Sequence, residues 1–179
     1  MSESNRLTFK LLSIFLQYPD ERLQGSLAHM EEFRAMLPEK SSVILGRFLD
    51  WLRNTSLLQA QEHYTQTFDL SPQTCLYLTW RRWSDGKERG QELTRLLQAY
   101  RDGGFECVSK DLPDYLPMVL EFSSACPDDS GLGLLREFGP EIEKLHVDLR
   151  KSESPYADLL LLLTETVAAP RAEDTKERR

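Results

Sequence analysis

Apolar residues recur at helical spacing along almost the whole chain, and no segment sustains the two-residue alternation of a strand. The first such face carries Leu7, Leu11, Ile14, Phe15 and Tyr18. Pro19 ends this helix, because the residue before a proline is pushed away from α geometry. No repeat of fixed period is present. The sequence therefore predicts an all-α fold, a single-domain helical bundle of roughly eight to ten helices.

Proline and capping residues divide the pattern into separate helices. A second helix is expected from Glu21 to Met36, and Thr55 or Ser56 can cap a fourth. The run Asp69-Leu70-Ser71-Pro72 combines a cap with a proline, which predicts a further helix from Pro72 or Gln73 through Trp83. Because that helix would carry little polar surface, we expect it to be central.

Turn or capping residues also predict a helix boundary at two later positions. Asp85-Gly86 is a turn signal, but the helical period on both sides favours a connection between helices over a hairpin. Asp114 is well placed to cap a helix in which Pro117 is the third residue, where its missing N–H would have had no intrahelical partner.

Length and charge restrict the classes of protein to which the chain can belong. Its 179 residues suit one domain, which we place at residues 1–170. The charged tail, residues 171–179, lacks an apolar anchor and is expected to be disordered. A net charge of −7 argues against nucleic acid as a partner, because phosphate contacts need clustered Lys and Arg. An acidic surface instead favours basic segments of other proteins.

Cysteine spacing and apolar runs give no sign of a metal, a cofactor or a membrane span. Cys75, Cys107 and Cys126 lie far apart with no His at ligand spacing, so we expect no disulfide framework, no metal and no cofactor. The longest apolar run, Leu159 to Leu163, is far shorter than the ~20 residues that a bilayer demands. Because the polar N-terminus also lacks the design of a signal peptide, we expect a cytoplasmic protein without direct membrane insertion.

The nearest candidate for acid–base catalysis is His63, which stands beside Tyr64 with Asp69 downstream. A histidine at the edge of an apolar face is more often simply packed or exposed than catalytic. We therefore expect no catalytic residues and no enzymatic activity, with a hydrolase as a distant alternative.

Arg89 lies four residues before Leu93, on the inward stripe of its helix, where a charged group needs a partner. Two interpretations remain open. Its stem can follow the edge of the core while its head reaches water. Alternatively, it pairs with Asp69 or Asp114 and so fixes the motif helices relative to one another.

Large amphipathic side chains suggest a groove for an apolar peptide. Tyr77 and Trp80 lie on the nearly all-apolar helix, and Tyr115 and Leu116 lie at a helix start. Most of them must also contribute to the core. Asp114 is first a helix cap, and a direct ligand contact is the alternative.

Three sequence blocks occur in an order that resembles one family. They are Tyr64-x-x-x-Phe68-Asp69, the turn and helix start at 84–90, and Asp111-Leu-Pro-Asp114-Tyr115. This order resembles the NarJ branch of the redox-enzyme maturation chaperones, the NarJ/TorD/DmsD family. The resemblance implies an all-helical chaperone that binds the N-terminal segment of the apo catalytic subunit of a respiratory nitrate reductase or related molybdoenzyme. It further implies that binding delays membrane docking and permits insertion of the molybdenum cofactor.

The resemblance and the residue patterns together give a predicted client-binding site. Its residues are Tyr64, Phe68, Asp69, Tyr77, Trp80, Arg89, Asp114, Tyr115 and Leu116. Tyr115 stands where many relatives carry His, so a titrating histidine cannot be assumed at that position. We expect a monomer, with a dimer as the alternative. The alternative function is a general helical adaptor or regulatory domain that binds a different peptide.

Overall fold

The computed structural model describes residues 1–84, 86–108 and 110–169. Ten α-helices and one π-helical turn run through these residues, and no strand is present among them. The helices are α1 (Glu3–Phe15), α2 (Glu21–Ala35), α3 (Glu39–Asn54), α4 (Leu57–Tyr64), α5 (Leu78–Trp83), α6 (Lys87–Asp102), α7 (Leu116–Ala125), α8 (Ser130–Glu137), α9 (Gly139–Lys151) and α10 (Tyr156–Ala168). The π-helical turn, Thr65–Asp69, continues α4. The predicted all-α bundle of eight to ten helices is confirmed.

Two pairs of helices, α1 with α7 and α10 with α9, make the most extensive contacts in the bundle. One face of α1 packs along α7, while α10 packs along α9 and across α3. Phe9, Leu12 and Phe15 of α1 are fully or almost fully buried, as are Leu159 and Leu163 of α10. Burial of these apolar faces is the main source of the stability of the bundle.

Capping residues mark several helix boundaries, including the expected start of α4. Ser56 caps α4 and forms a reciprocal capping box with Gln59. Gly103 ends α6, and Gly104 follows with a φ of 84°, a conformation that glycine adopts without steric cost. The connection between α5 and α6 joins two helices as expected, although Asp85 itself lies outside the described residues.

The prediction of a long helix from Pro72 to Trp83 is wrong. Only Leu78–Trp83 is helical, and Cys75, Leu76 and Tyr77 precede it in non-helical conformations. The physical reason is competition from the segment before α7. Leu116 N–H donates to Leu76 C=O at 2.9 Å, and Leu78 N–H donates to Asp114 C=O at 3.1 Å, so these backbone groups pair with a distant segment instead of with their own helix.

Two further expectations concern the C-terminal tail and the membrane. The tail at 171–179 lies outside the described residues. Across the described part of the chain, no helix combines the length and the apolar composition needed to cross a bilayer.

Candidate functional site

Tyr77 and Tyr115 face each other across a single antiparallel bridge, the point where the chain before α5 meets the chain before α7. Their ring centroids lie 5.4 Å apart with an interplanar angle of 35°. The hydroxyl of Tyr100 donates to Pro113 C=O at 2.6 Å and holds the segment before Tyr115 against α6. Backbone pairing thus presents two tyrosine rings side by side on a fixed support.

Tyr64 extends this aromatic surface from the end of α4. Its ring meets that of Phe68 at 4.8 Å and that of Tyr18 at 5.4 Å, both edge-on. Its hydroxyl donates to Leu16 C=O at 3.1 Å and lies 2.8 Å from the Tyr115 hydroxyl. Tyr64 therefore links the end of α1 to the segment before α7.

These residues surround a cleft of about 210 Å³, here called the tyrosine cleft. It is lined by aromatic rings, two carboxylates and one leucine. The lining residues are Tyr18, Tyr64, Phe68, Asp69, Leu76, Tyr77, Asp111 and Tyr115. Asp69 and Asp111 are both exposed and bring negative charge to the opening. The hydroxyl of Tyr77 donates to Asp111 Oδ1 at 3.4 Å.

Apolar side chains that neighbour the cleft in sequence are unusually exposed. Leu70 directly follows Asp69 and is 73% exposed, while Leu112 directly follows Asp111 and is 41% exposed. Tyr18, which lines the cleft itself, is 48% exposed. Exposed apolar residues beside a concave site are typical of surfaces that bind partners.

Burial keeps the cleft hydroxyls protonated. It raises the pKa of Tyr115 to about 12, and it raises the pKa of Tyr64 and Tyr77 above the usual value for tyrosine. The nearby Asp111 carboxylate also raises the pKa of Tyr77. These hydroxyls therefore act as neutral hydrogen-bonding groups throughout the physiological range.

Asp114 belongs to a different group of side chains, here called the Asp114 cluster: Thr79, Trp80, Arg89 and Asp114. The Asp114 side chain is 0% exposed. Its Oδ2 accepts from Thr79 N–H at 3.0 Å and from Thr79 Oγ1 at 2.5 Å. The expectation that Asp114 caps the helix after it is wrong, because α7 has Tyr115 at its N-cap without a side-chain cap and Pro117 at its second position. Asp114 instead satisfies an orphan N–H in the first turn of α5.

Arg89 completes this cluster from α6. Its Nε donates to Thr79 Oγ1 at 3.1 Å, its Nη2 lies 4.0 Å from Asp114 Oδ2, and its guanidinium lies 5.4 Å from the Trp80 ring centroid. Of the two open interpretations, the structure supports pairing with Asp114, since the Arg89 side chain is only 15% exposed. The other suggested partner, Asp69, lines the tyrosine cleft.

The predicted site residues thus fall into three places. Tyr64, Phe68, Asp69, Tyr77 and Tyr115 line the tyrosine cleft. Trp80, Arg89 and Asp114 form the Asp114 cluster, and Leu116 is fully buried in the core. Contact between the client and any of these nine residues stays a prediction.

Sequence reasoning missed three residues that line the cleft: Tyr18, Leu76 and Asp111. The helical spacing predicts Tyr18 on the inward face of α1, but the residue follows the end of that helix. Its position directly before Pro19 was the signal that it could leave the helical face. The predicted helix from Pro72 includes Leu76, but the observed helix begins only at Leu78.

The candidate acid–base residue His63 is packed away from the cleft. Its Nε2 lies 3.1 Å from Ser154 Oγ, and its ring stacks on Tyr156 with an interplanar angle of 8°. Burial lowers its pKa. Among the described residues, no group of three His, Cys, Asp or Glu side chains is arranged to hold a metal ion.

Comparison with known proteins agrees with this architecture. The family model described as nitrate reductase delta subunit matches residues 34–160. A Bacillus subtilis protein named as a nitrate reductase molybdenum cofactor assembly chaperone, NarJ, is 32% identical over 88% of this chain and 86% of its own length. The chain belongs to the nitrate reductase delta subunit family.

Two further similarities extend the comparison. The Escherichia coli K12 chaperone NarJ, named for the same assembly role, is 34% identical over 87% of this chain and 69% of its own length. A crystal structure described as a redox enzyme maturation protein of Archaeoglobus fulgidus shares the fold, with a TM-score of 0.69 and 20% identity over 92% of this chain and 94% of that one. Both of these sequence relatives are named as assembly chaperones, which agrees with the prediction of a chaperone.

Proposed function

We propose that this protein is a chaperone for the catalytic subunit of a nitrate reductase or related molybdoenzyme. In this proposal it binds the N-terminal segment of the apo subunit, delays membrane docking and permits insertion of the molybdenum cofactor in the cytoplasm. The names of its relatives support the class of client, since they are called nitrate reductase molybdenum cofactor assembly chaperones. The molybdenum cofactor belongs to the client.

The observation that carries the peptide-binding part of the proposal is the tyrosine cleft with its exposed apolar neighbours. Tyrosine offers a large, rigid surface with an apolar body and a polar tip, and it is enriched where proteins bind one another. Leu70 and Leu112 are exposed beside the cleft and offer further apolar contact. An amphipathic helix can lay its apolar face on such a surface while its basic residues meet Asp69 and Asp111.

Delayed docking and cofactor insertion would follow from occupancy of this one site. While the segment is bound to the chaperone, it cannot bind other partners. Mass action sets the fraction that is bound at any time. The chaperone would therefore need only to bind the apo subunit more tightly than the cofactor-loaded subunit, and it would need no chemistry of its own.

The test is isothermal titration with a synthetic peptide that copies the N-terminal segment of the catalytic subunit from the same organism. Tyr77→Ala and Tyr115→Ala should each weaken binding by ~2 kcal/mol, as for aromatic hot spots. Phe33→Ala is the matched control, because Phe33 is an exposed aromatic residue on α2 that does not line the cleft. Equal affinity of all four proteins would move the site elsewhere on the molecule.

The alternative function, an adaptor for a different client, is separated by a second peptide. A scrambled version of the same segment preserves composition and charge but loses the amphipathic pattern. Specific binding of the native segment supports the chaperone proposal, whereas equal binding of both peptides would favour a general adaptor.

A further inference from the structure

The hydrogen-bond directions in the tyrosine cleft follow from the groups that can only accept, namely a backbone carbonyl and a carboxylate. A backbone carbonyl only accepts, so the hydrogen of the Tyr64 hydroxyl is used by Leu16 C=O. The hydroxyl of Tyr115, 2.8 Å away, must then donate to Tyr64. The Tyr115 oxygen therefore presents lone pairs, and no hydrogen, to the rest of the cleft.

The same reasoning applies on the other side of the bridge. A carboxylate only accepts, so the hydroxyl of Tyr77 donates to Asp111 and its oxygen also presents lone pairs. Asp111 and Asp69 add carboxylates, each with about four acceptor positions. Apart from the hydroxyl of Tyr18, the polar side chains that line the cleft thus offer acceptors. No Lys or Arg is among the described residues that line it.

A cleft of this kind selects an occupant that carries donors and positive charge. An apolar side chain would cover these oxygens without offering them a hydrogen, which costs free energy. An anion would be repelled by the two carboxylates. A cation supplies the donors and is also attracted to the faces of tyrosine and phenylalanine rings.

Size and shape favour a guanidinium over an ammonium group. At about 210 Å³ the cleft is smaller than the roughly 300–1,000 Å³ of typical small-molecule sites, so it suits one side chain and not a whole helix. A guanidinium is planar, stacks on aromatic rings and carries five donors in a fixed fork. These donors match acceptors that are spread around the cleft, namely the hydroxyl oxygens of Tyr77 and Tyr115 and the carboxylates of Asp69 and Asp111.

We propose that the tyrosine cleft is a pocket for one arginine side chain of the bound client segment. This inference rests on the proposed function, and it names the residue type that the site recognises. The exposed Leu70 and Leu112 then contact the apolar face of the same segment, so the arginine fixes its register. The pocket makes binding specific for arginine, and the apolar contacts add buried surface area.

The first experiment replaces each arginine of the client peptide, one at a time, by citrulline, which keeps the shape and removes the charge. One position should weaken binding at least about tenfold, as expected for lost charge-assisted hydrogen bonds, and the others should change it little. In the chaperone variant Asp69→Asn/Asp111→Asn that sensitive position should lose most of its effect. Asp50→Asn is the control, since Asp50 is an exposed carboxylate on α3 that does not line the cleft.

Equal affinity of every citrulline peptide, with tight binding of the native peptide, would overturn the arginine pocket and leave the proposed function standing. An arginine-specific effect that is unchanged in Asp69→Asn/Asp111→Asn would also overturn it, because the arginine would then bind elsewhere.

The second experiment needs no client and decides the case in which the native peptide fails to bind. N-acetyl-arginine amide is titrated into the protein while the tyrosine ring signals are followed by NMR. The signals of Tyr18, Tyr77 and Tyr115 should shift, and N-acetyl-citrulline amide and inorganic phosphate should leave them in place. Shifts without peptide binding would retain the pocket and reject the proposed function. No shift in the absence of peptide binding would reject both.

Discussion

The Asp114 carboxylate caps α5, a helix 35 residues earlier in the chain, by accepting the Thr79 N–H at 3.0 Å. The Thr79 hydroxyl also donates to this carboxylate, and it accepts from Arg89 Nε. One buried carboxylate therefore ties together α5, α6 and the segment before α7. Within the Asp-Leu-Pro-Asp-Tyr motif, Asp111 and Tyr115 line the cleft. Asp114 holds the same segment against α5.

Asp114→Ala should strongly destabilise the protein, because it leaves the Thr79 N–H and the Arg89 guanidinium buried with fewer partners. We expect a loss of at least about 2 kcal/mol in the free energy of unfolding, measured by urea denaturation. Asp114→Asn should cost less, since one amide oxygen can still accept from Thr79. Asp50→Ala is the exposed control and should stay within ~0.5 kcal/mol. A loss for Asp114→Ala as small as that of the control would contradict the capping role.

Arg89→Ala should also cost more than an exposed substitution, by about 1–3 kcal/mol, because it removes the donor to Thr79 Oγ1 and the positive charge beside the buried Asp114 carboxylate. Its effect should not add to that of Asp114→Ala, since both changes break one network. Arg101→Ala, on an exposed position of the same helix, is the matched control. Full additivity in the double-mutant cycle would show that Arg89 and Asp114 act independently.

Tyr64→Phe and Tyr115→Phe should separate stability from binding. Tyr64→Phe removes the hydrogen-bond donor to Leu16 C=O in a buried position and should lower the unfolding free energy by about 1–2 kcal/mol. Tyr115→Phe removes a hydroxyl that faces the cleft, so it should affect stability less and client binding more. Denaturation and peptide titration on both variants provide the check. The opposite ranking would mean that the assigned hydrogen-bond directions are wrong.

Stability should decline as the pH falls below 6.5, and His63 should contribute to this slope. Burial lowers its folded-state pKa below the ordinary value of 6.5, so the unfolded chain takes up the proton first. The stabilising contribution of neutral His63 is fully present above pH 6.5 and falls as the pH drops below that value. His63→Gln should therefore flatten the dependence of melting temperature on pH. An unchanged slope in His63→Gln would exclude this contribution.

Added salt should slow association of the client peptide more than it speeds dissociation, because screening weakens the attraction between an acidic protein and a basic segment. Stopped-flow measurements at several ionic strengths can separate the two rates. Asp69→Asn/Asp111→Asn should reduce the salt dependence of association, whereas Asp50→Asn should leave it closer to that of the native protein. The prediction fails if salt acts mainly on dissociation.

Local signals in the sequence were sufficient for most helices. The capping box at Ser56 and the glycines after α6 act within a few residues of the helix ends that they define, so they are readable from the chain alone. The amphipathic faces of α1, α3 and α9 likewise predict which side chains are buried, because the apolar residues of such a helix lie on one side of it. The all-α class followed from these features.

The sequence by itself also brought five of the eight cleft residues into the predicted site. Two short motifs supplied Tyr64, Phe68, Asp69 and Tyr115, and the predicted apolar helix supplied Tyr77. What only the tertiary structure decided was the pairing of distant segments. The bridge between Tyr77 and Tyr115 interrupts the expected helix before Leu78, and Asp114 caps α5 instead of its own helix. The physical reason is that a backbone N–H or a buried carboxylate can be satisfied equally well by near or remote partners. Packing of the whole chain selects between these partners.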